Sequence, residues 1–159
     1  MRYERVEPGD DDHLDDAWEV KESIRRDDGF LRQTWDFFSR SYTQNTCHVY
    51  LDGDDVAGFA TVRDDGYILF LGVAEGHRDD GLGRSLVERV ARDHDTLTCH
   101  TREGNEAALG FYEHVGFRSK SLIESYYQDG DAAYYLVRGD GGATSLSDRI
   151  ASALRGDGD

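Results

Sequence analysis

An unbroken apolar and aromatic run extends from Tyr67 to Ala74, and Asp-Gly and Glu-Gly pairs bound it. The run is too short for a buried helix, so it predicts a strand, which we expect at the centre of a sheet. After it, apolar residues recur at the spacing of one helix face: Leu82, Leu86, Val87 and Val90. The pattern therefore predicts a strand, a turn and an amphipathic helix in succession.

The turn between this strand and helix reads Arg78-Asp-Asp-Gly81-Leu-Gly83. A strand that enters a helix through a glycine-bearing turn directs free backbone N–H groups and the positive end of the helix dipole to one point, where phosphate can bind. The turn is not a P-loop, because Arg84 follows Gly83 where lysine is required. It is not a dinucleotide fingerprint either, because Leu86 replaces the third glycine. The alternative is an ordinary strand-to-helix turn.

Caps, turns and hydrophobic spacing predict the remaining elements. The first elements in chain order are a strand over residues 2–6; a helix with N-caps at residues 10–12 and with Leu14, Ala17, Trp18, Lys21 and Ile24 at helical spacing, broken at residues 27–29; a helix with Leu31, Thr34, Trp35, Phe38 and Tyr42 on one side, ending near Ser41; and strands over residues 47–51 and 56–62. After the strand and helix described above come a strand over residues 96–102, a helix opened by Asn105 and capped by Gly116, and a hairpin of residues 117–127 and 132–137 around Asp129-Gly130. This order predicts an α/β (α+β) protein whose mixed, mostly antiparallel sheet carries helices on both faces.

The length predicts one domain over residues 1–138, followed by a glycine-rich linker and a short amphipathic helix in residues 139–159. The net charge is −15, and Lys21 and Lys120 are the only lysines. So acidic a surface repels DNA, RNA and anionic membranes, which we exclude as partners. It is typical of salt-loving organisms, in which a Debye length of about 3 Å screens self-repulsion.

Two cysteines, Cys47 and Cys99, are too few and too unpatterned for a disulfide framework or a metal site. They indicate a reducing compartment and no bound metal. The sequence has no signal peptide and no apolar stretch of membrane length, so a cytoplasmic protein is expected.

A second motif runs from Asn105 to Phe117 and matches N-x-x-A-x-x-F-Y-x-x-x-G-F at every fixed position. It follows R-x-x-G-x-G at a suitable distance. With these two motifs the chain resembles the GNAT superfamily of acyl-CoA-dependent N-acyltransferases over about residues 49–137. The resemblance implies a three-layer α/β/α fold with a splayed pair of strands, and acetyl-CoA as the cosubstrate.

By this resemblance, the CoA pyrophosphate binds at the Arg78 turn, and the splayed strand presents backbone groups that hold pantetheine and polarise the thioester carbonyl. Tyr112 lies beside the sulfur as general acid, since a phenol of pKa about 10 can protonate a thiolate whose acid has a pKa of about 8.5. Asp79 and Asp80 stand where relatives usually carry Arg or Lys, so CoA binding should weaken unless the arginines and salt compensate. The implied CoA-binding residues are Leu71, Gly72, Val73, Arg78, Asp79, Asp80, Gly81, Leu82, Gly83, Arg84, Ser85, Asn105, Ala108, Phe111 and Tyr112.

His100 stands five residues before Asn105, where bacterial RimI-type enzymes carry a glutamate base. One branch of protein Nα-acetyltransferases has histidine there, acting through an ordered water together with a tyrosine on the central strand, the position of Tyr67. The resemblance thus implies that His100 and Tyr67 form the base. A histidine with only a structural role in a strand is the alternative.

The segment from Tyr126 to Tyr134 resembles the Y-Y-x-D-G-x-x-A-Y hairpin that closes over the substrate in peptide Nα-acetyltransferases. It implies acceptor contacts by Tyr126, Tyr127 and Tyr134. Phe30 and Trp35 belong to an aromatic stripe dense enough to line the acceptor pocket, although core packing explains such stripes equally well.

We therefore expect an enzyme that transfers acetyl directly from acetyl-CoA to a primary amine, the favoured acceptor being the α-amine of a protein or peptide N-terminus. A small amine or free amino acid is the alternative acceptor. An acyl-CoA-binding module without activity is an alternative of another class. The oligomeric state, monomer or homodimer, stays open.

The charge predicts that folding depends on salt. Because self-repulsion is unscreened in dilute buffer, the melting temperature should rise steeply from low salt to molar KCl. Circular dichroism melts across a KCl series measure this. A melting temperature that stays constant across the series would contradict the prediction.

Overall fold

The computed structural model describes residues 1–139, which contain seven strands and four α-helices. The strands are β1 Arg2–Val6, β2 Thr46–Asp52, β3 Asp55–Val62, β4 Ile68–Val73, β5 Thr96–Arg102, β6 Arg118–Ile123 and β7 Ala133–Gly139; the helices are α1 Leu14–Asp28, α2 Trp35–Gln44, α3 Leu82–Ala91 and α4 Glu106–His114. A short 3-10 helix, Glu75–His77, precedes α3. Contacts divide the chain into two compact units, one ending at His94 and the other beginning at Asp95.

The first unit contains an antiparallel sheet in the order β1-β2-β3-β4, with α1 and α3 packed on β3. Every residue of β3 after Asp55 is buried. A Cβ added at Gly58 would lie 3.3 Å from Leu86 of α3, and one added at Gly72 would lie 3.1 Å from Ile24 of α1. Gly72 pairs with Phe59 and so lies on the same face of the sheet as Phe59, whereas Gly58, the residue before Phe59, lies on the other face. The two helices therefore cover opposite faces of the sheet. The first unit therefore has three layers: helix, sheet and helix.

Aromatic side chains from α2 fill the core between α1 and the sheet. The Phe38 ring lies 5.8 Å from Phe59 and 5.0 Å from Phe70, centre to centre. Tyr42 is fully buried, and its hydroxyl donates to the Asp12 carbonyl at 2.6 Å. This bond ties α2 to the segment before α1.

A buried lysine fixes the connection between α1 and α2. The side chain of Lys21 has no exposed surface; its ammonium donates to the Gln33 carbonyl and to Glu22 Oε2 at 3.3 Å, and lies 4.5 Å from the centre of the Trp18 ring. Burial lowers the pKa of Lys21, while Glu22 opposes that shift. Lys21 therefore occupies an interior position, as its spacing on the apolar side of α1 indicates, and the Gln33 carbonyl supplies a backbone acceptor for its ammonium.

The second unit contains an antiparallel sheet in the order β5-β7-β6. Alternate residues of β5 are buried: Leu97, Cys99 and Thr101. The register pairs His100 with Tyr135 and Thr101 with Tyr134. Tyr112 of α4 is hydrogen-bonded to Cys99, which places α4 on the buried face of β5.

The α/β fold class, the order of the elements and the buried face of α3 agree with the prediction. Within residues 1–139, every pair of neighbouring strands is antiparallel, and the strands form two sheets instead of one. The predicted central strand β4 lies at the end of its sheet. An apolar run reports burial, and it does not report how many neighbours a strand has.

Several boundaries were wrong for local reasons. Helix α1 has His13 at its N-cap, in the left-handed conformation and with no side-chain cap, instead of residues 10–12. Leu31 precedes α2 with a φ of 56°, and Thr34 is the N-cap, accepting from Phe37 N–H at 3.4 Å. Strand β6 ends at Ile123, so residues 126 and 127 lie in a loop.

Gly139 is the last residue of β7 rather than part of a linker. The rest of the predicted linker and the tail helix over residues 145–154 lie outside the described residues. The single domain over residues 1–138 stays a prediction.

A buried polar cluster lies between β1, β2 and α3. His48 is 1% exposed; its Nδ1 is hydrogen-bonded to the Tyr3 hydroxyl at 2.6 Å, and within the described chain its buried Nε2 has no partner. The Arg89 guanidinium lies 3.8 Å from the centre of the Tyr3 ring, and its Nε donates to Tyr50 at 3.2 Å. Burial, with Arg5 adding to it, lowers the pKa of His48 to about 4. This histidine is therefore neutral in the folded protein at neutral pH.

His48 should make the fold sensitive to acid. Its pKa is lower in the folded state, about 4 against 6.5, so the stability it contributes is present above pH 6.5 and is lost as the pH falls through 4. Urea titrations at constant KCl should show wild type losing about 3 kcal/mol more than His48→Gln between pH 7 and pH 4. Parallel profiles for the two proteins would contradict this account.

Candidate active site

The turn before α3 forms an open helix N-terminus. Gly81 is the N-cap, with a φ of 78° that disfavours any residue with a Cβ, and no side chain caps the helix. The amide of Ser85 donates to the Gly81 carbonyl at 3.1 Å, so the N–H groups before it in the first turn precede the helical ladder. Such a turn suits an anion, and binding of the CoA pyrophosphate at this turn stays a prediction.

Three residues at this turn, His77, Arg78 and Asp80, have polar partners within the first unit. Arg78 Nη1 lies 3.7 Å from Asp28 Oδ2, so an incoming phosphate would compete with a carboxylate. His77 Nδ1 lies 3.1 Å from Asp80 Oδ2, and its Nε2 lies 3.3 Å from Asp52 Oδ2. The contact with His77 gives Asp80, expected to weaken CoA binding, a polar partner within its own turn. Asp79 and Arg84 are exposed.

Strand β4 offers backbone groups along one edge. In its sheet β4 pairs with β3, through Leu71 with Ala60 and Gly72 with Phe59. β4 is the last strand of that sheet, so the backbone N–H and C=O groups on its side away from β3 make no strand-to-strand hydrogen bonds within the first unit. Leu71 and Val73 are half-buried, on the opposite face from Gly72. This edge is where the resemblance expects pantetheine.

Helix α4 begins at the second motif. Asn105 is the N-cap, and its Oδ1 accepts from Ala108 N–H at 3.1 Å. Helix capping therefore explains the first fixed position of the motif, and the side-chain amide N–H groups of Asn105 take no part in the cap. Phe111 is half-buried, and its ring lies 5.1 Å from that of Tyr112.

Tyr112 is buried, and its hydroxyl is hydrogen-bonded to the Cys99 thiol. Burial raises the pKa of Tyr112 well above 10 and raises that of Cys99 to about 12. Tyr112 therefore keeps its proton throughout the physiological pH range, as a proton donor must until a base appears.

His100 lies between two tyrosines of its own unit. Its ring stacks on Tyr126, with centres 4.5 Å apart and planes 13° apart, and lies 5.0 Å from Tyr135. Tyr134 pairs with Thr101 and so lies on the other face of the sheet. Of the tyrosines predicted to bind the acceptor, the structure brings Tyr126 to His100 directly and does not bring Tyr134 there.

The other predicted residues belong to the first unit. Tyr67 is 9% exposed, and the Arg63 guanidinium lies 4.5 Å from the centre of its ring. Trp35 is 40% exposed and meets Trp18 edge to face at 5.3 Å. Phe30 is half-buried in the connection between α1 and α2. Exposure makes Trp35 available to a ligand, whereas Tyr67 is largely covered.

Sequence reasoning missed three residues beside the predicted ones. Tyr135 is opposite His100, which only the strand register reveals. Alternation along β5 places Arg102 on the same face as His100, but the sequence assigned it no role; in the structure it contacts the loop after β6. His77, which precedes the glycine motif, contacts Asp80 within the same turn.

The sequence profile of the acetyltransferase (GNAT) family matches residues 11–117. The chain belongs to the GNAT acetyltransferase family. Acetyl-CoA is the cosubstrate of this family, and a similar structure from Bacillus anthracis, with a TM-score of 0.55 at 20% identity and covering 60% of this chain and 62% of that one, was solved in complex with acetyl coenzyme A. Both motifs lie within the matched residues: R-x-x-G-x-G at residues 78–83, and the motif that begins at Asn105 and ends, like the match, at Phe117.

Among similar proteins, the 5-NmdU N-acetyltransferase of Pseudomonas phage PaMx11 is 30% identical over 84 residues, 48% of this chain and 60% of the relative. N-alpha-acetyltransferase 30 of Schizosaccharomyces pombe is 30% identical over 103 residues, 56% of this chain and 69% of the relative. The N-alpha-acetyltransferase of Saccharolobus solfataricus is 25% identical over 79 residues, 46% and 47% of the two chains. The chain thus spans less than two thirds of the phage and Saccharolobus proteins.

Solved structures agree on the fold. A ribosomal-protein alanine N-acetyltransferase from Escherichia coli has a TM-score of 0.67 at 22% identity, covering 86% of this chain and 93% of that one. Ard1 from Thermoplasma volcanium has a TM-score of 0.66 at 20% identity, covering 87% and 97%. Within residues 1–139, no helix combines the length and apolarity needed to cross a bilayer, and no three metal-ligating side chains are grouped for an ion.

Gly83→Glu should weaken binding of acetyl-CoA at this turn by about tenfold or more, because it places a side chain and a negative charge at the open helix end. Gly76→Glu adds the same charge at a position with open space around it and serves as the control. Titration calorimetry in molar KCl measures both. Equal affinity of the two variants would place the CoA site elsewhere.

Proposed function

We propose that the protein is an N-acetyltransferase that transfers acetyl from acetyl-CoA directly to the α-amine of a protein or peptide N-terminus. Family membership supports acetyl transfer. The acceptor is supported by relatives named N-alpha-acetyltransferase and by one structural observation: the imidazole of His100 is stacked on Tyr126, a tyrosine of the loop that the resemblance assigns to the acceptor.

Tyr112 is the proposed general acid. When the amine attacks the thioester carbonyl, the C–N bond forms, the C–S bond breaks and the departing thiolate needs a proton. Burial raises the pKa of Tyr112, so its proton is held until the thiolate appears. Its hydroxyl is hydrogen-bonded to the Cys99 sulfur. A sulfur partner for this phenol is thus already compatible with its surroundings.

His100 and Tyr67 are the proposed base, acting on the amine through one water. An α-amine has a pKa of about 7.7 to 8.0 and a lysine about 10.4, so a neutral lysine at pH 7 costs about 3 to 4 kcal/mol more to prepare. Imidazole is matched to the first task and poorly matched to the second. We therefore expect the α-amine to be preferred over lysine.

A small amine is the second candidate acceptor. It is favoured by the phage relative, named for its action on 5-NmdU, and by a nourseothricin acetyltransferase with a TM-score of 0.53 at 28% identity, covering 59% of this chain and 64% of that one. The resemblance to peptide Nα-acetyltransferases implies a peptide-gripping loop with a proline between the first two helices, and the connection between α1 and α2, which Lys21 fixes, contains no proline. Its altered form suits a smaller acceptor.

The decisive experiment incubates the protein with acetyl-CoA in molar KCl, a peptide library and a panel of small amines and amino acids, with mass spectrometry of the products. Acetylated peptide N-termini are the expected products. In the same assay, Tyr112→Phe should lower the turnover rate by about a hundredfold, while its affinity for acetyl-CoA should stay nearly constant. Acetylated small amines alone would favour the second candidate. Binding without any product would indicate a module without activity.

A pH series tests the base. His100→Gln keeps a planar neutral side chain, so its loss of kcat should be largest below pH 8 and should recover partly at higher pH, where the amine is already neutral. Tyr67→Phe should show the same pH-dependent loss of kcat. The double variant should have a kcat little lower than either single variant, because both residues act through the same water and that water is lost in each case. His114→Gln, exposed at the end of α4, is the control. An unmoved acidic limb in His100→Gln would remove His100 from the mechanism.

A further inference from the structure

The loop between β6 and β7, residues 124–132, is shaped by its own backbone. Tyr127 N–H donates to the Asp131 carbonyl at 3.1 Å, and Gly130 N–H donates to the Tyr127 carbonyl at 2.9 Å. The Asp129 carboxylate accepts from Asp131 N–H at 3.0 Å. These bonds bring two carboxylates and the Tyr127 ring to one side of the loop, where strand β5 presents a cation.

Arg102 of β5 contacts all three groups. Its Nη1 donates to both carboxylate oxygens of Asp129, at 3.1 and 2.9 Å, and to Asp131 Oδ2 at 2.9 Å. Its guanidinium carbon lies 3.9 Å from the centre of the Tyr127 ring. The Arg102 side chain is 14% exposed, so water screens this arrangement less than a surface ion pair. We call Arg102, Tyr127, Asp129 and Asp131 the Arg102 clamp.

The clamp is connected to His100. Burial raises the pKa of Tyr127 to about 12, so the ring facing the guanidinium is a neutral phenol. Tyr127 meets Tyr126 edge to face, at 4.9 Å and 88°, and Tyr126 stacks on His100. Arg102 and His100 lie two residues apart on the same face of β5, so each holds one of the two adjacent tyrosines.

We propose that Arg102 is a positioning residue for the acceptor: by clamping the loop it holds Tyr126 and Tyr127 in the arrangement that receives the amine-bearing chain. The inference rests on the proposed function for its acceptor, and on the contacts of the second unit for the clamp itself. Arg102 touches neither reacting atom in this role. Its loss therefore acts on acceptor binding and leaves acetyl-CoA binding unchanged.

The side chain required is arginine specifically. One nitrogen serves three carboxylate oxygens while the planar group lies against a ring, and a lysine ammonium has no planar face to stack. Without a cation at this position, Asp129 and Asp131 would repel each other, and the clamp side of the loop would separate from β5. Both carboxylates belong to the clamp, because Arg102 would still have Asp131 as an acceptor if Asp129 were lost.

The test compares Arg102→Met, which keeps the apolar stem, with Arg102→Lys and with Arg118→Met, a control that removes the same charge from an exposed position on β6 of the same sheet. Hydrogen–deuterium exchange of the peptide covering residues 124–132 should be about tenfold faster in Arg102→Met, intermediate in Arg102→Lys and unchanged in the control. Steady-state kinetics should give an acceptor KM about tenfold higher in Arg102→Met, with the KM for acetyl-CoA unchanged.

Adding Asp129→Asn to Arg102→Met should raise the acceptor KM no further, because the clamp is already open. Unchanged exchange in Arg102→Met would overturn the clamp, and if that variant does not fold, unchanged exchange in Arg102→Lys would do so. Faster exchange with an unchanged acceptor KM would overturn the positioning role. Faster exchange in a protein whose wild type acetylates no amine would support the clamp and reject the proposed function.

Discussion

The covering of both faces of strand β3 is the constraint on which the first unit depends. Because residues 56–62 are all buried, helices must lie on both sides, and the small residues Gly58 and Gly72 let α3 and α1 approach. The helix that covers one face is α3, and residues 74–81, which include the 3-10 helix Glu75–His77, lead from the end of β4 to its N-terminus. The glycine motif thus lies where the chain passes from the buried sheet to a helix that covers it, and its use as an anion site stays a prediction.

Local patterns predicted most of the fold. Strands β1 and β5 begin and end as the alternation indicates, and the four apolar residues of α3 are all buried. Asn105 caps α4 as its side-chain chemistry requires. These features succeed because periodicity and capping involve neighbours within four residues. The errors at His13 and Leu31 arise where a non-glycine residue adopts the left-handed region, which local propensity disfavours.

The candidate site was harder to predict, since its surroundings depend on strand register. Sequence reasoning named Tyr134 where register brings Tyr135 to His100, and it treated the two hairpin tyrosines as strand residues where they lie in a loop. It also did not foresee that His48 is buried, because its hydrogen-bond partner Tyr3 lies on another strand; Lys21, in contrast, already stood at helical spacing with the apolar residues of α1. How the residues of the two units act together stays a prediction.

The two cysteines have a practical consequence. Cys47 and Cys99 are both buried, and burial raises the pKa of each thiol to about 12. At the pH of a typical assay almost none of either thiol is ionised, and the thiolate is the form that reacts with disulfide reagents. The chain has no other cysteine. A chromogenic disulfide reagent can therefore report free CoA continuously, because the folded enzyme contributes no reactive thiol of its own.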